Sequence, residues 1–201
     1  ALDSLLASGM EYENIPRVRF FSLDIHNAEF TKKAFASYGF DFASISPHEE
    51  FGDAFLNTLY EYGYNGSQVR IAIVDHGAIE RDELIAKHLL YHPNYWNDSI
   101  ELLYMDKERE RAGKVKAINP VRLVRWHRQE DGVALQELPL PSQDDQNHQQ
   151  VVIGFNDDIL AGGDSGNKAV SKVRETHPNA QLIVFMATHP LMTNGDATLQ
   201  I

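Results

Sequence analysis

The 201-residue sequence contains no cysteine. That absence excludes disulfides, thiolate metal sites and cysteine nucleophiles, and it is compatible with a reducing, cytoplasmic setting. Positive charge is scarce as well: 18 Lys and Arg stand against 29 Asp and Glu, a formal net charge of −11. So acidic a chain has no broad electrostatic grip on nucleic acid or an anionic membrane, and neither is expected as a partner. Any phosphate it binds must be held by a local arrangement of groups. No apolar run approaches the roughly 20 residues needed to cross a bilayer, and no basic start leads into an apolar stretch as in a signal peptide. Internal repeats and heptads are missing too. What is present is a core: 43% of the residues are apolar, enough for one compact domain of 1–201. The chain opens at Ala1, with Leu2, Leu5 and Leu6 on one helical face, and stops at Ile201 without a loop or cap. Both ends are those expected of a piece of a longer protein.

Strand and helix patterns alternate along the chain. Val18–Leu23 is β-branched and aromatic and delivers Asp24-Ile-His26 at its end, and a helix is predicted from Ala28 to about Tyr38. Phe42–Ser46 is a weaker strand, followed by helical spacing of Phe51, Phe55, Leu56 and Leu59. Val69–Val74 is the clearest strand; it ends on Asp75-His-Gly77 and runs into an amphipathic helix over Glu80–Leu90. Ile100–Tyr104 is a strand that leads into the charged stretch Met105-Asp-Lys-Glu-Arg109. From His127 to Gln150 the composition turns to Gln, Asp, Pro and Asn, which reads as a long loop or hairpin insertion. Val151–Phe155, a helix from about Asn167 to Glu175, and the strand Gln181–Met186 complete the series. Such alternation predicts an α/β fold with a mostly parallel sheet covered on both faces.

Ligands of an open parallel sheet sit outside the carboxyl ends of the strands, where loop amides and helix N-termini point. Asp24 and His26, Asp75, Lys107, and the turn from Asp157 to Ser165 all fall at predicted strand ends. The last is the most specific. An acidic pair, Asp157-Asp158, can hold a ribose diol and a hydrated Mg²⁺. Gly162-Gly163 and Ser165 can offer bare amides and a hydroxyl to a phosphate. Taken alone such a turn is more often only a loop. His76, His88, His92 and His177 show no persuasive metal-ligand spacing, and Trp96 and Trp126 are read as packing or loop anchors.

Together these motifs resemble the ribose-phosphate diphosphokinase (phosphoribosyl pyrophosphate synthetase) family, which has the phosphoribosyltransferase-type fold. Phe21-Ser-Leu-Asp-Ile-His26 is similar to the family's Asp-Leu-His motif. Val74-Asp-His-Gly77 with Arg81 resembles its Asp-x-Gly-Gly segment, and Asp106-Lys-Glu-Arg109 its Asp-Lys-Arg-Arg segment. Val151 through Ala161-Gly-Gly-Asp-Ser165 resembles the phosphoribosyl-binding turn, and Leu182 to Pro190, with Gly195-Asp-Ala197, the segment after it. Five motifs in the family's order cover almost the whole chain.

The resemblance implies transfer of the β,γ-diphosphate of ATP to the C1 hydroxyl of ribose 5-phosphate, with Mg²⁺ as cofactor and ATP as co-substrate. It implies that Lys107 and Arg109 are catalytic cations and that His26 and Asp75 serve the metal. Asp24 and His26 fall to the nucleotide, and Asp157, Asp158, Ala161, Gly162, Gly163, Asp164 and Ser165 to the ribose phosphate. A homo-oligomer is implied for the intact protein. The departures are specific. Asp164 stands where the family's turn has a small residue, and its carboxylate repels a phosphate unless it is turned away or paired. Ala78 replaces a glycine, Glu108 replaces the middle cation, and the family's amino-terminal half is missing. These departures leave room for a non-catalytic regulatory or assembly subunit, or for a transferase acting on another ribose 5-phosphate ester.

Overall fold

The computed structural model describes residues 19–23, 28–74, 76–109, 115–141, 151–160 and 164–190. The chain divides into two compact units, residues 1–46 and 47–201. In the first, strand β1 (Arg19–Leu23), helix α1 (Ala28–Ser37) and strand β2 (Asp41–Ile45) form a β-α-β unit whose two strands pair in parallel, Phe20 beside Phe42. Aromatic rings provide its core: Phe35 lies 4.8 Å from Phe20 and 5.0 Å from Phe42 between ring centroids. Gly39, at φ 77°, ends α1 by taking the left-handed turn that a side chain would oppose.

The second unit begins with helix α2 (His48–Glu61). Glu49 and Glu50 in its first turn complement the positive end of the helix dipole. Phe55, Leu56 and Leu59 fall on one face and are buried. Then follow β3 (Gln68–Ile73), a 3-10 turn (His76–Ala78), α3 (Ile79–Tyr91), β4 (Ser99–Arg109), β5 (Val115–Gln129), β6 (Gly132–Leu138), β7 (Val151–Leu160), α4 (Asp164–Thr176) and β8 (Ala180–Pro190). The six strands of this unit lie in the order β6-β5-β4-β3-β7-β8. β4, β3, β7 and β8 run in parallel; β5 and β6 add an antiparallel flank.

Period-two alternation sends β3 to both faces. Val69, Ile71 and Ile73 pack with α2 and α3 on one side, while Ala72 packs with Ala169, Val170 and Val173 of α4 on the other. Burial of a side chain such as Phe55 or Leu89, each 0% exposed, contributes about 1.5–3 kcal/mol. Gly154 in β7 marks a close approach, since an added Cβ would meet the Phe55 ring and Ile71 Cδ1 at 3.1 Å. The structure thus has the expected α/β architecture, with a mostly parallel sheet flanked by helices.

Three element boundaries differ from expectation. β4 continues past Tyr104 to Arg109, because Asp106–Arg109 pair with Ala117–Asn119 and Val115 of β5. β7 continues past Phe155 to Leu160, pairing Asp157 with Ala187 of β8, and α4 begins at Asp164 rather than near Asn167. Of the expected insertion 127–150, residues 127–138 form the end of β5 and the whole of β6. These strands join through a tight turn in which Gly132 has φ 147°. The hairpin reading therefore applies, and residues 142–150 lie outside the described ones.

Candidate functional site

Because β4, β3, β7 and β8 run the same way, their carboxyl ends share one edge of the sheet. β4, β3 and β7 are immediate neighbours. Lys107 and Arg109 stand at the end of the first, Asp75 follows the second in sequence, and Asp157-Asp158 lie in the last four residues of the third. Three of the four sequence-predicted clusters are thus delivered by backbone topology to adjacent positions on one edge. The fourth, Asp24 and His26, follows β1 in the other unit and lies outside the described residues.

β4 overhangs that edge. Tyr104 is level with Ile73, the last residue of β3, so at ~3.3 Å per residue Arg109 lies roughly 16 Å further along the strand. Lys107 and Arg109 therefore sit on a two-stranded antiparallel ribbon, with Ile118 and Val115 as their register partners. Lys107 is half-buried, and Arg109 is exposed. Glu108, between them, is answered by Lys116 Nζ at 3.2 Å across the ribbon, which offsets the charge that interrupts the cationic pair. The ribbon leans on α4: Val115 and Ile118 are buried with Ala169 and Val170, and Lys168 donates its ammonium to the Val115 carbonyl. Arg109's register partner is thereby tied to the second turn of the helix that follows the acidic and glycine segment.

A second tie holds the Asp75 side of the edge. Asn156, 3% exposed and next to the acidic pair, donates from Nδ2 to Asp82 Oδ1 at 3.1 Å. Arg81 donates from Nη2 to the Asn156 carbonyl at 3.4 Å and lies 3.6 Å from Asp82 Oδ1. The first turn of α3, which follows Asp75 and the 3-10 turn, is thus bolted to β7 at the residue before Asp157. Asn156 Oδ1 is buried without a hydrogen-bond partner, a hard oxygen of the kind a hydroxyl or a hydrated cation satisfies. Arg81 belonged to a recognised motif, but Asp82 and Asn156 gave no signal in the sequence. Their role depends on the β3–β7 pairing.

Among the predicted residues, Asp75 and Ala161, Gly162 and Gly163 lie outside the described ones, as do 191–201; for Asp157, Asp158, Asp164 and Ser165 the backbone alone is described. α4 places Asp164 and Ser165 at its start, where unsatisfied amides favour an anion.

The fold brings together one grouping that histidine spacing in the sequence does not reveal. Asp53, His88 and His92 bring ligand-type atoms within 4.8 Å of one another. Their hydrogen bonds argue for a structural role. His92 Nδ1 accepts from the Asn94 N–H at 3.2 Å, so Nε2 carries the proton, and it lies 3.5 Å from Asp53 Oδ1. His88 Nε2 meets the same oxygen at 2.7 Å. One carboxylate pins α3 to α2.

No protein-family model and no curated protein matches this chain. Among solved structures it is similar to phosphoribosylpyrophosphate synthetase from Mycobacterium smegmatis, at 12% identity and a TM-score of 0.53, over 95% of this chain and 46% of that one. It is also similar to an adenine phosphoribosyltransferase at 16% identity and to adenine phosphoribosyltransferase from Saccharomyces cerevisiae at 19%. For both, the TM-score is 0.38 over 76% of this chain and 75% of the other. The chain spans less than half of the synthetase, and identities this low speak to fold. The sheet order, the covering helices and the first of these likenesses agree on a phosphoribosyltransferase-type fold, related to that of phosphoribosylpyrophosphate synthetase.

Proposed function

We propose that this chain is the ribose-phosphate-binding, diphosphate-transferring half of a ribose-phosphate diphosphokinase. The observation that carries the reading is the convergence of three motif-bearing strand ends, β4, β3 and β7, at neighbouring positions of one sheet edge. In the reaction the C1 hydroxyl oxygen of ribose 5-phosphate forms a bond to Pβ of ATP. The bond from Pβ to the oxygen bridging the α-phosphate breaks, AMP leaves with that oxygen, and the hydroxyl proton is lost. Lys107 and Arg109 neutralise charge that develops on the transferred group. Asp157 and Asp158 hold the ribose hydroxyls, and Ala161 to Ser165 cradle the 5-phosphate at the start of α4. Asn156 Oδ1, buried and without a partner, is a hard oxygen of the kind that Mg²⁺ takes, and Asp75 would add its carboxylate. A bound Mg²⁺ supplies charge neutralisation for the ATP phosphates. The roles of Asp24 and His26 toward nucleotide and metal belong to the same proposal, as does homo-oligomeric assembly of the intact protein.

One observation favours a second reading. β7 keeps its ladder with β8 through Leu160 and Pro190, so only residues 161–163 separate strand from helix, and Asp164 adds negative charge there. A homologue that keeps the fold as a regulatory or assembly subunit fits this shortened turn. Calorimetric titration with ribose 5-phosphate and with Mg·ATP, repeated on Asp158→Ala, separates the two. The catalytic reading expects ribose 5-phosphate to bind and the variant to lose at least ~10-fold in affinity, about one charge-assisted hydrogen bond. No heat from either ligand decides for the subunit reading.

A further inference from the structure

The opposite edge of the same sheet holds a cavity of about 280 Å³ that the proposed reaction does not use. It lies on the α4 face at the amino-terminal ends of β3, β7 and β8, with Arg70 roughly 10 Å along β3 from its end at Ile73, three residues at ~3.3 Å each. At ~30 Å³ per water, it holds about nine water volumes, the room of a small organic molecule. Leu123, Leu138 and Val151 supply apolar wall.

The polar wall is a preassembled charge cluster. Glu101 is 1% exposed and Arg70 is 7% exposed. Arg70 donates from Nε and Nη2 to Glu101 Oε2 at 2.9 and 2.5 Å. Arg125 donates from Nε and Nη2 to Oε1 at 3.1 and 2.6 Å. Both carboxylate oxygens are therefore committed, one to each guanidinium, and the cluster keeps one net positive charge. Among the described residues Arg70 has no partner besides Glu101, so the Nη1 donors of a nearly buried cation are left for whatever fills the cavity.

His177, 8% exposed, provides the second, independent indication. Thr176 Oγ1 contacts its Nδ1 at 2.8 Å and gives its own hydrogen to the Lys172 carbonyl at 3.0 Å. In the tautomer that keeps the hydroxyl hydrogen on that carbonyl, Nδ1 carries the ring proton and Nε2 the lone pair. That Nε2 is buried and has no hydrogen-bond partner. Burial and the nearby Arg70 charge push the ring's pKa down to about 4, so the ring is uncharged at neutral pH.

We infer that this cavity is a binding site for a small hydroxy-carboxylate, its carboxylate on the Arg70 and Arg125 guanidinium groups and its hydroxyl donating to His177 Nε2. A single net positive charge matches a monoanion, whereas a phosphate dianion would face Glu101 with half the charge it needs. The apolar wall takes the carbon skeleton. The site stands apart from the sugar-phosphate reading of the other edge, and either can fail without the other.

The probes are lactate, propionate and inorganic phosphate, titrated calorimetrically into the full chain, with Arg125→Gln and His177→Phe as variants and circular dichroism to verify that each folds. Lactate is expected to bind, propionate ~5-fold or more weaker for want of the hydroxyl, and phosphate weaker than lactate. Arg125→Gln should weaken lactate ~10-fold, and His177→Phe should erase the advantage of lactate over propionate. The ¹⁵N resonance of His177 Nε2 should shift on adding lactate in the wild-type chain, a readout that does not depend on either variant. No lactate binding, a silent Nε2 resonance, or phosphate binding tighter than lactate would each overturn the assignment.

Discussion

The two edges of the central sheet handle charge in opposite ways. At the amino-terminal edge, buried Arg70 and Glu101 and part-buried Arg125 are bonded to one another at the wall of a cavity. At the carboxyl edge, Lys107 and Arg109 ride on an overhanging ribbon that is half-buried to exposed. The first arrangement is expensive to disturb, because removing one partner strands a buried charge. The second contributes little to stability, because exposed ion pairs such as Lys116–Glu108 are worth at most about 1 kcal/mol. The difference teaches where to look for function. Charges on an overhanging ribbon at the outlet of parallel strands stand where a ligand of such a sheet binds, whereas charges locked together signal a site only where a donor or acceptor is left over.

The largest effect that would break this contrast concerns Glu101. Glu101→Ala leaves Arg70 and Arg125 facing each other and should cost about 3–5 kcal/mol in denaturant unfolding, which for a unit of this size lowers Tm by about 10 °C. A loss below 1 kcal/mol would mean that the cluster is far wetter than its burial implies.

A pH profile of stability sharpens the same edge. His177 is held at about 4 when folded against 6.5 when free, with Arg70 and Glu101 the charged groups near its ring. Between those values the unfolded chain binds a proton that the folded chain does not, so stability falls as pH drops through that window. The accumulated loss is about 3 kcal/mol at 1.36 kcal/mol per unit. Subtracting the profile of His177→Gln should remove this component; identical slopes for the two proteins would speak against a buried neutral ring.

At the other edge the pattern should invert. Lys107→Ala and Arg109→Ala are each expected to change unfolding free energy by less than about 0.5 kcal/mol while lowering diphosphate transfer ~10²-fold or more. An enzyme assay that follows AMP release, run beside thermal melts, compares the two numbers directly. The smallest effect is expected from zinc. Since His92 Nε2 carries the proton, adding Zn²⁺ should leave Tm unchanged, and a zinc-dependent rise abolished by Asp53→Asn would show that the Asp53, His88 and His92 group is a metal site.

Much of the sheet was legible because its strands carry strong patterns. Val69–Val74 is apolar but for Arg70, a run of the sort that sits at the centre of a parallel sheet, and its residues 69–73 lie in β3, buried throughout. The extensions were not legible, since Asp106–Arg109 is charged throughout and Asp157–Leu160 opens on two carboxylates, and neither shows apolar alternation. They are strands because β5 and β8 lie beside them, a fact of tertiary pairing. The carboxyl-edge candidates could be named because they recur as short motifs. The amino-edge cluster could not, because Arg70, Glu101, Arg125 and His177 come from four separate elements, and each alone reads as an ordinary polar residue. Only the order β5-β4-β3-β7-β8, with α4 ending above it, draws them together.

Amide chemical shifts read during a ribose 5-phosphate titration put the central claim to its most direct test. Sugar-phosphate recognition at the outlet of β4, β3 and β7 predicts shifts concentrated at residues 107–109, 156–160 and 164–168, with Arg70, Glu101 and Arg125 unmoved. Shifts confined to that amino-terminal cluster, or no shifts at saturating ligand, would contradict it.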